Sequence, residues 1–315
     1  MASLLERVIG FEKIVRPVEW SKTFGAMAFA IVAYLYTSGA VFSFAEIEKF
    51  IWGFIIVGPF LWGGVYSFND WSDREKDKAH PVKKFRPIPS GLIPANDAVV
   101  FFSGLILIAL FLAWQVNLFF FLAVLAMFIN QILYTLPPVR LKELPVVDLI
   151  SGSLVSPVFR FLCGWFLFQQ NLDFPILYLV TIVGIQFGGF SLYRISGKDV
   201  EKQLGYKSST VVINEKVLKA VSYSAVLIGA SSYFALTLIP LFAPKLKFLG
   251  GLPLEYLFYS FVMLLPLPIY YKAMRRPKEM DMKFMYRFLF WHYSLFIIGF
   301  AVLYIFAQPA QFNLF

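Results

Sequence analysis

Asp70, Asp73 and Asp77 stand three and four residues apart, the spacing that brings side chains onto one face of a helix. The stretch that holds them, residues 69–91, opens on Asn69 at the end of a long apolar run. Arg74, Lys76, Lys78, Lys83, Lys84 and Arg86 interleave or follow, and the stretch closes with Arg86-Pro87 and Ser90-Gly91. Carboxylates converging at the mouth of a membrane span, with a basic loop beside them, are what a magnesium–diphosphate site requires. Mg2+ takes oxygen ligands, keeps several waters and commonly joins one or two carboxylates to substrate phosphates. Most mixed-charge runs are plain solvated loops, but such a loop gives no reason for three aspartates to abut a span.

The elements that position these residues follow from composition. Hydrophobic residues make up 59% of the chain and charged residues 15%, the balance of a polytopic membrane protein rather than a soluble domain. Nine candidate spans of about 20 residues fall at 23–43, 48–68, 95–115, 117–136, 148–168, 174–193, 220–242, 251–271 and 288–308. Their connections alternate in basic content. All but four of the 28 Lys and Arg residues lie in the N-terminal segment and in loops 69–94, 137–147, 194–219 and 272–287. The exceptions are Lys49, Lys245 and Lys247 in the opposite connections and Arg160 inside a span. By the positive-inside rule the N-terminus and the basic loops are expected in the cytoplasm and the C-terminus outside. The net charge of +9 then reflects topology and contact with anionic lipid or phosphate, not nucleic-acid binding.

Other classes lack support. The first apolar run starts late, has no small-residue cleavage site and is followed by further spans, unlike a removable signal peptide. The single Cys163 cannot form an internal disulfide and is expected to be a packed core thiol. No Walker motif, dinucleotide fingerprint or Cys/His metal cluster occurs. Residues 1–315 are therefore expected to form one membrane domain.

A second loop, 194–216, lies on the same side by the charge argument and carries Asp199 and Glu201 among Lys198, Lys202 and Lys207. Two facing acidic patches could each hold Mg2+ while lysines neutralise phosphate oxygens. A solvated loop fits this segment equally well.

Asn69-Asp70-x-x-Asp73-x-x-x-Asp77, followed by Arg86-Pro87-x-x-Ser90-Gly91, resembles the first signature of the UbiA superfamily of intramembrane prenyltransferases. Tyr134-Thr-Leu-Pro137-Pro138-Val-Arg140-Leu-Lys142 resembles that family's segment after the fourth span. The resemblance implies an all-α integral membrane fold, nine transmembrane helices around a central cavity capped by two cytoplasmic loops. The implied activity is Mg2+-dependent transfer of a prenyl group from an isoprenoid diphosphate to an aromatic or lipid acceptor. The second signature departs from the family pattern, because Gln203 stands where a second aspartate would follow Asp199 and Gly205 comes two positions early. Glu201 could substitute, or a single ion could be held firmly.

Finer matches are similar to polyprenyl-phosphate phosphoribosyltransferases: Arg16-Pro17-x-x-Trp20-x-Lys22, His80-Pro81-x-Lys83 and Lys142-x-x-Pro145-Val-Val-Asp148. In that branch phosphoribosyl pyrophosphate is the donor and a polyprenyl phosphate the acceptor. Gly197 stands where that branch carries an acidic residue after the sixth span, and Gly205–Thr210 is closer to ordinary prenyltransferases. Prenyl transfer therefore ranks first.

The resulting assignments place one Mg2+ on Asp70, Asp73 and Asp77 and a second on Asp199. Lys83, Lys84, Arg86, Arg140 and Lys198 are the expected diphosphate contacts, with Arg favoured where bidentate geometry matters. Asn69 is expected to fix the loop by hydrogen bonding. Lys22, Lys142 and Arg194 are spare cations, and Glu201, Gln203 and Tyr134 supporting residues. Arg160, Asn130, Gln186 and His292 are costly in hydrocarbon and are expected to face the bundle interior, Arg160 in a cavity or a buried pair. Some of the abundant aromatic residues should line a groove for an isoprenoid tail. A homo-oligomer is compatible with the sequence. The rival from another class, a phosphate-lipid transporter, is opposed by the acidic cluster's place at a span end and by the absence of a duplicated half.

Overall fold

The computed structural model describes residues 3–40 and 43–257, with isolated positions between 260 and 303. Within these residues the protein is helical. Helix α1 (Leu4–Val15) starts at a capping box in which Ser3 and Glu6 satisfy each other's backbone N–H groups. It ends at Arg16 in the left-handed region, ahead of the turn Pro17–Trp20. Helix α2 (Ser21–Ser38) stops at Gly39, φ 62°, the usual glycine solution for a helix end.

Helix α3 (Phe44–Ile55) opens on a second capping box, Ser43 with Glu46, and runs through a wider π-helical segment, Ile56–Trp62, into α4 (Gly63–Lys78). Pro59 lies inside that segment, where the missing N–H would otherwise break the regular ladder. Helices α5 (Ala95–Val116) and α6 (Leu118–Thr135) are joined through Asn117, whose side chain caps α6. A single turn, α7 (Val147–Leu149), continues through the π-helical Ile150–Val155 into α8 (Ser156–Phe166). Then come α9 (Ile176–Ile195), the short α10 (Lys198–Gln203) and α11 (Ser209–Val212), and α12 (Glu215–Phe242).

Six helical stretches are long and apolar enough to cross a membrane: Phe44–Lys78, Ala95–Val116, Leu118–Thr135, Val147–Phe166, Ile176–Ile195 and Glu215–Phe242. They coincide with the spans expected from 48 to 242. The span expected at 23–43 is α2, which is helical but less apolar. Its position explains this, because α2 is a central helix with Ala26, Met27, Phe29, Ala30, Ala33 and Leu35 buried. A helix facing protein rather than lipid needs little hydropathy. The spans expected at 251–271 and 288–308, and His292, lie largely outside the described residues.

Small residues set the closest helix contacts, as membrane packing favours. A Cβ on Gly164 of α8 would sit 2.4 Å from the Met27 carbonyl oxygen of α2. Gly184 and Gly188 of α9 meet the backbone of α12, and Gly229 of α12 meets that of α9, all within 3 Å of such a Cβ. Outward positions such as Val100, Leu107, Phe111 and Trp114 of α5 are exposed, an apolar surface suited to lipid.

Candidate active site

The spacing of Asp70, Asp73 and Asp77 on α4 turns all three inward, and all three are buried. Each meets cations from other segments. Asp70 is bonded by Arg16 and, at 2.7 Å, by Arg86. Asp73 takes Arg140 at 2.7 Å and Lys142 Nζ at 2.6 Å. Asp77 accepts from Arg86 at 3.1 Å through Oδ2, with Lys83 Nζ 3.8 Å from Oδ1. Arg16 and Arg140 both have positive φ, 50° and 42°. For residues with a Cβ that conformation is uncommon and persists where surroundings enforce it. Here it delivers two guanidinium groups to two carboxylates.

The charges lie in a dry setting. Burial lowers the Lys142 pKa below the ordinary lysine value, and the bond to Asp73 opposes that shift. His80 Nδ1 accepts from the N–H groups of Val82 and Lys83 at 3.1 and 3.2 Å. Burial, followed by Lys83 and Arg86, pushes its pKa down to about 4, so the ring is neutral near pH 7 and shapes the turn that presents Lys83. Asn69 Oδ1 accepts from Lys142 and from Thr135, both at 3.3 Å.

The second loop closes over this cluster. Lys76 Nζ lies 5.3 Å from the centroid of the Tyr206 ring. Burial, then the charges of Asp73 and Asp77, raise the Tyr206 pKa, which keeps a neutral O–H beside the carboxylates. The loop is organised by Glu201, which accepts from Ser208 at 2.5 Å and Thr210 at 2.6 Å. It is docked by Asp148, fully buried, which binds Arg194 at 2.7 Å and both polar groups of Ser209. Arg194 also bonds Tyr134, whose ring rests against Gly152.

A further set of charges lies beside Tyr66, one turn before Asp70 on α4. Arg16 reaches Glu19 at 3.4 Å, and Glu19 bonds Lys22 at 2.9 Å and the Tyr66 hydroxyl. Burial would raise the Glu19 pKa, but Lys22 and then Arg16 outweigh it and hold it at about 2. Arg160 is buried with its guanidinium 4.1 Å over the Trp62 ring.

The sequence pattern of the UbiA prenyltransferase family matches residues 26–295. The chain belongs to that family. It is a multi-pass membrane protein and a transferase enzyme, which removes the carrier reading. The bacteriochlorophyll synthase 33 kDa chain of Rhodobacter capsulatus is 25% identical over 240 residues, covering 73% of this chain and 75% of that protein. A decaprenyl-phosphate phosphoribosyltransferase of Mycobacterium tuberculosis is 25% identical over 255 residues, with 74% and 80% covered. A UbiA homolog from Archaeoglobus fulgidus, solved bound to DMAPP and Mg2+, superposes with a TM-score of 0.68. At 19% identity over 94% of this chain and 99% of that one, the likeness is one of fold.

In this UbiA-family chain the residues singled out from sequence divide into two groups. Asp70, Asp73, Asp77, Lys83, Arg86, Arg140, Lys142 and Asn69 form one cluster. Lys84 is exposed against Phe85, and on α10 Asp199 and Gln203 are exposed while Lys198 is half-buried. Asp199 and Gln203, four apart, share the outer face of α10, whereas Glu201 between them faces inward. Glu19 and Asp148 are carboxylates that sequence reasoning did not select. Glu19, flanked three residues away on each side by Arg16 and Lys22, carried a signal; Asp148 closed the segment Lys142-x-x-Pro145-Val-Val-Asp148 but had no role assigned to it.

Among the described residues no three His, Cys, Asp or Glu side chains form a ready-made metal cage. Asp77 Oδ1 is buried and accepts no hydrogen bond, a lone acceptor that fits a water or metal ligand.

Proposed function

We propose that this transferase moves a prenyl group from an isoprenoid diphosphate to an aromatic or lipid acceptor, with Mg2+ held by Asp70, Asp73 and Asp77. One observation carries the reading: three buried carboxylates at the end of a membrane helix, each faced by cations from other segments. Magnesium bound there would neutralise charge on the departing diphosphate. Arg86, Arg140, Lys83 and Lys142, which pair with those carboxylates, are the donors that would be available to the phosphate oxygens. The Tyr206 hydroxyl is an added neutral donor. Asp199, on the exposed face of α10, is the second-loop carboxylate we assign to a second ion. The reading also takes nine spans, with the N-terminus and both loops cytoplasmic and the C-terminus outside.

Tyr66 and Trp62 lie one and two turns from Asp70 toward the middle of the span, with ring centroids 5.5 Å apart. Aromatic faces there suit an apolar tail and an allylic cation. The likeness to decaprenyl-phosphate phosphoribosyltransferases, together with Lys22 and Lys142 near the trio, favours a second reading, phosphoribose transfer to a polyprenyl phosphate. It ranks lower because Arg194, one of the cations a 5-phosphate would need, is bonded by Asp148, which lies outside the metal trio.

The test is thermal unfolding with Mg2+ and either a prenyl diphosphate or phosphoribosyl pyrophosphate, since a ligand specific to the folded state stabilises it. Stabilisation by prenyl diphosphate, with transfer of labelled prenyl to an acceptor, is expected. Stabilisation by phosphoribosyl pyrophosphate alone, lost in Lys22→Ala or Lys142→Ala, would reverse the order.

A further inference from the structure

Glu143 is a carboxylate beside the cluster to which the diphosphate chemistry assigns no task. It ends the 3-10 turn Leu141–Glu143, which Arg140 caps, and its N–H donates to the Arg140 carbonyl at 2.9 Å. That turn brings the two side chains together, and Glu143 Oε1 accepts from Arg140 Nε at 2.7 Å. Arg140 Nη2 donates to Asp73 Oδ1, also at 2.7 Å. A guanidinium is planar, with its N–H donors in a rigid fork. Bonds from Nε and Nη2 to two different carboxylates therefore fix both its place and its plane.

Glu143 is itself held from a second side. Lys76 Nζ of α4 donates to the same Oε1 at 2.7 Å, so the carboxylate lies between a cation of α4 and one of the loop after α6. Burial would raise the Glu143 pKa, but the bond from Lys76 and then the charge of Arg140 outweigh it and hold it below the ordinary glutamate value. The group is an anion near pH 7. Fold stability does not account for this arrangement. The Lys76 and Glu143 side chains are 52% and 32% exposed, and ion pairs so open to water contribute little to folding. The Arg140 side chain, 13% exposed, is the member that reaches the aspartates of α4. An arginine that keeps its rotamer freedom loses it on binding a ligand, and the cost falls on affinity. A carboxylate that fixes the rotamer beforehand removes that cost.

We infer that Glu143 is a positioning residue, which holds the Arg140 guanidinium in the orientation from which it reaches the donor's diphosphate. The inference rests on the magnesium–diphosphate part of the proposed function and adds a residue to it. It applies to a prenyl diphosphate and to phosphoribosyl pyrophosphate alike, since both carry the group that Arg140 meets.

The experiment is thermal unfolding of the purified protein in neutral detergent at fixed Mg2+, titrated with inorganic pyrophosphate. Pyrophosphate should stabilise the wild type by binding the folded state. In Glu143→Gln its apparent affinity should fall about fivefold, while the ligand-free melting temperature stays close to that of the wild type. The sign is diagnostic, because removing an anion beside a phosphate site would by charge alone tighten binding. Added to Arg140→Met, Glu143→Gln should cause no further loss, as expected of a residue that acts through Arg140. Glu75→Gln, which removes an exposed carboxylate paired with Lys78 on the same helix, should bind as the wild type does. Unchanged or tighter binding in Glu143→Gln would overturn the inference. So would an equal loss in the Arg140→Met background or in Glu75→Gln, or a large fall in the ligand-free melting temperature. A wild type that pyrophosphate does not stabilise would instead overturn the diphosphate reading itself, and the inference with it.

Discussion

Asp148 and Ser209, 61 residues apart, are bonded twice: the Ser209 N–H reaches Asp148 Oδ2 at 3.1 Å, and its hydroxyl bonds Oδ1. The same hydroxyl accepts from the Val146 N–H at 2.6 Å. The entry to the α7–α8 helix therefore holds the second loop, and that loop carries Tyr206 to the carboxylates of α4.

Asp148→Ala should release this dock and leave Arg194 without its carboxylate in a buried place. Breaking such a pair costs about 3–5 kcal/mol. The expected results are a lower melting temperature, faster tryptic cleavage at Lys202 and Lys207, and turnover reduced by roughly tenfold or more through mispositioning. Unchanged cleavage and turnover would mean that the loop is held by other contacts.

Asp70→Asn and Asp73→Asn should each lower turnover by about a hundredfold or more, because the charge that gathers metal and diphosphate is lost. The Mg2+-dependent stabilisation by prenyl diphosphate should vanish with it. Alanine is a poorer probe, since Asp70 also ties Arg16 and Arg86 to α4 and its truncation weakens the fold itself. Near wild-type activity in either asparagine variant would remove that residue from the metal site.

The first motif was legible because its information is local: a spacing of three and four on a helix puts three carboxylates on one face. Its cationic partners were legible as types but not as pairs, since Arg16 and Arg140 lie 54 and 67 residues from their aspartates. Helical phase explains the residues that stand outside the cluster. In the 3-10 turn Lys83–Phe85, three residues per turn align Lys83 with Arg86 and rotate Lys84 away. On α10 the family-like positions Asp199 and Gln203 occupy the outer face, and Glu201 the inner one. The hydropathy of α2 understated its role because a central helix buries small residues. Asp148 takes its role from tertiary partners, Arg194 and Ser209, whereas Glu19 is marked locally by Arg16 and Lys22 three residues to either side.

The two loops should behave as one face of the membrane. Lys76 over Tyr206 places them together at one end of the bundle, the end that the positive-inside rule leads us to propose as cytoplasmic. Tags inserted in 79–94 and 204–208 should both be protected in sealed cells, and a C-terminal tag should be accessible. Opposite accessibility of the two loops would dismantle a shared site.

Glu19 predicts a pH signature. Its carboxyl is held at about 2, against an ordinary 4.5, by Lys22 and Arg16 in spite of burial. A depressed folded-state pKa contributes stability that is fully present above the unfolded value and lost as pH falls through the folded one. The window here is therefore pH 4.5 down to about 2. Glu19→Gln removes the charge at every pH and takes from Lys22 and Arg16 the carboxylate they share, which should cost about 3 kcal/mol at pH 7. Melting temperatures of wild type and Glu19→Gln should differ most above pH 4.5 and converge toward pH 2. A gap that persists unchanged at pH 2 would assign the loss to side-chain shape rather than to the ion pairs with Lys22 and Arg16.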